Sequence, residues 1–401
     1  MMPAFAFEQS AGLSNITIRR HHMKRQKCSN HVVVGLALLI AFAVASTASS
    51  APVVYRQVAT ITIPGNLSGG FDISWVDAVA GRYYLADRGT TSIDVIDTKH
   101  LRYLYSIPLN AAGNGVVAIP NPHDDDPHNP ETAGELWVGD SASNVEVIDL
   151  KTQSVVASIS TGGVARADEL AYDPLDHIVL IANDRETTCV MGVCTGPAPF
   201  ITFISVENRT VLGQIFYPNV VFGATPSNHG IEQPVWDAKT QMFYLALPGT
   251  AENPAGEVDE IDPAGQLIRR VFPTTCSPAG LAVVPRQRLV TSCGDVIDIA
   301  SGNVLTTVAN VGADEIWFNS GEEYVYFGGF LGINVPVLDT ADNTVVATLV
   351  VGVINPTPPP PFLQSTHSVA ADSENNIVFV PVTNAGVKVY TARRRSIDED
   401  D

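Results

Sequence analysis

The chain has 401 residues, 45% of them hydrophobic and 16% charged, with 31 Gly, 27 Pro and a formal net charge of −19. That length and apolar content can bury a large core, and the acidic balance argues against nucleic acid or an anionic membrane surface as a partner. Few stretches have a helical pattern, so the mass of the protein is expected in short strands and turns.

The N-terminal stretch has the pattern of a targeting segment. Met23-Lys-Arg-Gln-Lys is a basic region, Val32 to Val44 is an apolar run, and Ala45 to Ala51 offers small-residue cleavage sites. The run of 13 apolar residues is short for a membrane span, which needs roughly 20. Residues 1–51 are therefore expected to be a signal region, with the true start possible at Met23, and the product exported to the periplasm or beyond the cell without a remaining membrane span. Without Arg19, Arg20, Lys24, Arg25, Lys27 and Glu8, the 23 basic and 42 acidic residues become 18 and 41, a net charge of −23.

From there on, runs of four to seven residues rich in Val, Ile, Leu and Tyr alternate with Gly, Pro, Asn and Ser, which is the strand-and-turn signature. They group in fours. The first unit is FDISWV, RYYLAD, SIDVID and LRYLYSI. The second is GVVAIP, ELWVGD, NVEVID and SVVASIS, and the third DELAYD, HIVLIAND, FITFISVE and VLGQIFY. The fourth is GIEQPVWD, MFYLALP, GEVDEID and QLIRRVF, and the fifth runs through Pro278 to Val308. The sixth is DEIWFN, YVYFGG, INVPVLD and TVVATLVV. The third strand of each unit closes on a marker such as Val95–Asp97, Val147–Asp149 or Val296–Asp298, and seven markers recur 36 to 58 residues apart. Repetition at that period predicts an all-β, seven-bladed propeller over residues 52–392, with six blades as the fallback should the fifth unit be degenerate. The last unit, HSVAAD, NIVFVP and VKVYTA, lacks a fourth strand. Arg56 to Pro64 (RQVATITIP) supplies it from the other end of the chain and so removes a free sheet edge. Residues 393–401 are expected as a disordered charged tail.

Cys28 falls in the signal region. The other four cysteines suit an oxidising compartment, with Cys189–Cys194 and Cys276–Cys293 the simplest pairs; a zinc site is the alternative, although no CxxC spacing supports it.

The segments YYLADRGTTSIDVIDT, LWVGDSASNVEVIDLKTQSVVASISTGG and VPVLDTADNTVVATLVVG resemble the YVTN family of β-propeller repeats. The likeness extends over residues 56–392. It implies the propeller fold and says little about a reaction, since these repeats specify blades. Members include exported bacterial proteins, and the repeat is similar to that of the haem d1 domain of nitrite reductases, although this chain has no CxxCH haem-attachment motif.

Chemistry is expected where the inner strands begin. Asp72, Asp168, Glu169, His229, Glu232, Asp314, Glu315 and His367 all stand at such starts, so they would converge on one mouth of the central channel. Gathered carboxylates are costly unless a cation or a basic partner neutralises them or their pKa rises. One expectation is therefore a small-molecule or divalent-metal site, Ca²⁺ if oxygens dominate or a transition metal if both imidazoles bind. The other is a ring of acids around water, paired with Arg166. A metal-dependent enzyme similar to propeller lactonases, hydrolases or lyases would use the same residues, with His229, His367 or Glu232 as the acid–base group. A protein-interaction scaffold built on the loops 183–200, 223–228 and 355–361 is the third possibility. His123 and His128, in a Pro- and Asp-rich insertion, fit a solvated loop better than a site.

Overall fold

The computed structural model describes residues 53–119, 134–184, 188–190, 193–195, 197–221, 230–329, 332–355 and 362–394, all of which fall in one unit, Ser50–Asp401. Seven four-stranded antiparallel sheets stand around a central axis. From the axis outward, blade one is Ser74–Asp77, Arg82–Asp87, Ser92–Asp97 and Arg102–Pro108. The inner strands of the later blades are Gly113–Ile119, Leu170–Asp173, Pro234–Asp237, Leu281–Val284, Glu315–Asn319 and Ala370–Asp372. Each inner strand touches the next all the way round. The only helical turn among the described residues is Pro64–Leu67.

The ring closes as the sequence predicts. Val53–Ile61 is the outer strand of blade seven and pairs antiparallel with Gly386–Arg394, from Val53 opposite Arg394 to Ile61 opposite Val387. Two boundaries need correction. The closing strand begins three residues before Arg56, and its partner runs through Arg393 and Arg394, so the charged tail cannot start at 393. Extension is favoured because each added residue satisfies backbone groups that an exposed edge would leave open. Residues 1–52 and 395–401 lie outside the described residues.

Seven apolar clusters fill the seven clefts between neighbouring blades. Alternation explains this arrangement. Successive side chains of a strand face opposite sides, and both sides of a blade are covered by another blade. Strands such as Tyr83–Ala86 and Val145–Ile148 are accordingly apolar almost throughout, and the glutamate among them, Glu146, is hydrogen-bonded. Trp137 and Phe203 are fully buried in adjoining clefts.

The recurring Val-Ile-Asp marker has a structural cause. In five of the first six blades the pairing of third and fourth strands slips inside it, as at Val95/Ile96, Val147/Ile148 and Val296/Ile297, and in blade three it slips just ahead of it, at Phe203/Ile204. Such a bulge increases strand twist, which lets flat blades fan around an axis. The Asp that follows caps the turn: Asp97 accepts from the amides of Lys99 and His100, Asp149 from Thr152 and Asp298 from Ser301.

Cys276 and Cys293 are bonded, with Cα atoms 5.9 Å apart, and join the linker ahead of blade five to the turn after its second strand. Cys189 and Cys194 face each other in a hairpin, Thr188–Val190 with Val193–Thr195, but their side chains lie outside the described residues. A second hairpin, Val353–Asn355 with Phe362–Gln364, joins blades six and seven.

Candidate functional site

The site is built from one repeat position. The amides of Asp72, Asp168, Glu232 and Asp314 donate to Ala86, Ala182, Ala246 and Gly328 on the second strand of the same blade, at 2.7–3.0 Å. The four acids thus occupy equivalent places in blades one, three, four and six. Amides of the following residues then cross to the next blade: Ile73 to the carbonyl of Asn114, Gly115 to Asp168 and Glu315 to His367. This puts Asn114 and His367 at the same place in blades two and seven. One residue further along, Glu169, Gln233 and Glu315 form a second tier.

Close backbone approach makes the ring possible. A Cβ on Gly115 would lie 2.7 Å from Glu169 Cα, and one on Gly280 would lie 2.6 Å from the Asp314 carbonyl oxygen. Both distances are shorter than carbon contacts allow, so each glycine is what lets the neighbouring blade bring its acid to the axis.

The result is a cavity of about 450 Å³ at the channel mouth. Asp72, Asp168, Glu169, Glu232, Asp314, Glu315 and His367 all line it, together with Arg88 and Arg166. Seven of the eight residues expected from the sequence are therefore brought together. The eighth, His229, lies outside the described residues, as do His123 and His128 and most of the loops 223–228 and 355–361.

Charge is divided unevenly in this cavity. On one side Arg88 pairs with Asp72 and donates to Asn114 Oδ1 at 2.7 Å. Arg166 reaches Asp168 at 2.6 Å and Asp184 at 2.7 Å, and these two acids hold its guanidinium firmly protonated against the effect of burial. His367 donates from Nε2 to the Phe71 carbonyl at 2.9 Å, and its Nδ1 lies 3.2 Å from Asp314 and 3.8 Å from Asp72. Both ring nitrogens face acceptors. Burial works against the charged ring, but Asp314 and Asp72 outweigh it and raise the pKa. With both ring nitrogens engaged, His367 is poorly placed for the general-base role considered from the sequence.

Among the described residues, no such cation contacts Glu169, Glu232 or Glu315. They are 6%, 5% and 3% exposed. Glu315 accepts a 3.3 Å hydrogen bond from Gln233, whose own oxygen takes the Leu281 amide at 2.6 Å. Glu169 and Glu315 face each other as a carboxyl pair, and the Glu232 carboxyl makes no hydrogen bond or ion pair with any described residue. Burial first, then the neighbouring carboxylates, drive Glu169 and Glu232 well above the usual range and push Glu315 up to about 8.

Four contributors escaped the sequence reading. Arg88 and Asp184 follow second strands, where nothing in the chain suggests that they turn toward the axis. Asn114 sits within Gly-Asn-Gly, which has the look of a turn. Gln233 is the uncharged member of the second tier. Their signal was the repeat register: aligning the seven inner-strand starts would have found Asn114 and Gln233.

Among the described residues, no three of His, Cys, Asp and Glu converge tightly enough to cage a metal ion. No helix among them is long and apolar enough to cross a membrane. No protein-family model matches this chain, and no curated protein matches it.

Proposed function

We propose that this propeller binds a small cationic ligand at the acidic mouth of its channel, with Glu232 and the Glu169–Glu315 pair as the acceptors. One observation carries the reading: Glu232 is buried, lines the cavity and makes no hydrogen bond or ion pair with any described residue. An unpaired buried carboxyl costs free energy that a positive ligand would recover. A protonated amine matches acceptors spread over blades three, four and six, because its donors point in several directions. A divalent metal ion such as Ca²⁺ needs its oxygens drawn closer, which a small inward movement of the glutamates would supply. Of the acid–base candidates for a lactonase- or lyase-like reaction, His367 is committed at both nitrogens and His229 lies outside the described residues, which leaves Glu232. Export and kinship with YVTN-type repeats belong to the same proposal; they rest on the N-terminal sequence pattern and the blade markers.

The test is thermal unfolding and calorimetry at pH 8 with Ca²⁺, Mn²⁺, Zn²⁺, methylammonium and putrescine. At least one is expected to stabilise the protein, by about 2.7 kcal/mol at a hundredfold excess over its dissociation constant. Glu232→Gln should weaken that binding at least tenfold while the protein stays folded. If no cation stabilises the wild type more than the variant, the proposal fails.

A further inference from the structure

A second chamber lies further along the same channel, beyond Gln233. It has a volume of about 430 Å³, within the range of pockets that hold small organic molecules. Its walls come from the middle and ends of the inner strands and differ in kind from the mouth. Trp75, Tyr172, Trp236, Trp317 and Phe318 line it from four blades, all of them only half-buried. Trp75 and Trp317 meet edge to face, with ring centroids 5.1 Å apart. No Asp, Glu, Lys, Arg or His lines this space.

From this geometry we infer a second binding site, one for a flat, uncharged aromatic molecule. Aromatic side chains dominate burial energetics, so leaving five of them half-open around a cavity forgoes stabilisation that a ligand would restore. Their faces suit offset or edge-to-face contact with another ring. The absence of charged walls disfavours an ion, which would lose its water without gaining a partner. A sugar of this size is disfavoured too. Gln233 already spends its amide on Glu315 and Leu281, and the Tyr172 hydroxyl lies 3.2 Å from His177 Nδ1, so most sugar hydroxyls would be left unpaired. What remains for polar contact is indole N–H: that of Trp236 is buried without a hydrogen-bond partner, and those of Trp75 and Trp317 make no hydrogen bond with a described residue. Each could meet a single acceptor such as a phenol oxygen.

Three of the four tryptophans line the chamber, while Trp137 is fully buried in a cleft between blades and donates to Glu135. This gives a direct readout. In full-length protein carrying 5-fluorotryptophan, titration with 2-naphthol at pH 7 should shift the fluorine resonances of Trp75, Trp236 and Trp317 and leave that of Trp137 in place. The anionic 2-naphthalenesulfonate should shift none of them. Ala118→Phe, which fills the chamber from blade two, should weaken naphthol binding at least tenfold with unchanged thermal stability, and Val283→Phe does the same from blade five should the first variant fail to fold. Absence of any shift, shifts of all four resonances, equal binding of the sulfonate, or unchanged affinity in the folded filled variant would each overturn the inference. None of these outcomes bears on the acidic mouth, because the probe is uncharged and both variants lie outside it.

Discussion

At the residue scale the mouth is a titrating device with a calculable sign. Glu169, Glu232 and Glu315 have folded pKa values above the 4.3 of a free glutamate, so between about pH 4.3 and 8 the folded chain holds more protons than the unfolded one. The stability they contribute is full at low pH and is lost as pH rises through the folded values. Unfolding temperature is thus expected to fall from pH 6 to pH 9, and Glu232→Gln should flatten that decline. Cation binding has the opposite dependence, because the carboxyls must release protons to accept a charge. Affinity should rise with pH up to about 8, by as much as tenfold per unit where one proton leaves, and calorimetry in buffers of different ionisation enthalpy would count the protons released. A pH-independent affinity would contradict the assignment of these three acids. Much of this scale was legible beforehand, since an acid at the start of an inner strand must face the axis in any propeller. What was not legible was which acids are neutralised, because Arg88 and Asp184 arrive from turns whose direction is set by tertiary packing.

At the element scale, the turn after each Val-Ile-Asp marker carries its own strain. Gln153, Arg209 and Asn343 hold left-handed backbone at φ 55°, 53° and 60°, and their amides bond back to the carbonyl four residues earlier. Blade five places Gly302 there, at φ 74°. A side chain in that region costs roughly 1–2 kcal/mol, and a glycine forgoes part of the gain through its larger entropy in the unfolded chain. Gln153 is exposed and its side chain makes no hydrogen bond among the described residues. Gln153→Gly is therefore expected to stabilise the fold by about 1 kcal/mol in chemical denaturation, whereas the same change at half-buried Leu101 would also lose packing. The marker itself was visible in the sequence as a repeated string. Its meaning as a bulge followed by a capped turn was not, because a bulge is a mismatch between two strands and neither strand shows it alone.

At the scale of the whole molecule, seven blades are held in place by one seam. Blades one to six are each continuous in sequence, and blade seven joins residues 53–61 to residues 386–394. Removing Val53–Ile61 would uncover a nine-residue edge strand and open the apolar cleft that Ile61 and Ile63 share with blade one. Such a chain should unfold without a cooperative transition or aggregate through the open edge. A circular permutant that moves residues 53–63 behind residue 394 should keep the native unfolding temperature within a few degrees. Loss of the fold in that permutant would show that the seam depends on more than the pairing of the two strands. The seam was predictable from counting, because a three-stranded last unit and an unassigned first strand call for each other. The offset of three residues at its beginning was not, since Val53 to Tyr55 carry no turn signal to mark where pairing starts.

That seam also sets a timetable. During synthesis Val53–Ile61 is among the first of the described segments to emerge, and its partner is the last, more than 300 residues later. At about 5–20 residues per second the early segment waits on the order of tens of seconds with nothing to pair with. Its polar Arg56, Gln57 and Thr60, exposed in the finished molecule, keep it hydrated over that interval. The blades between can form in order as they are made, but the circle closes only once residues 386–394 have been made, so a chain cut short within that strand forfeits the whole and not merely its end.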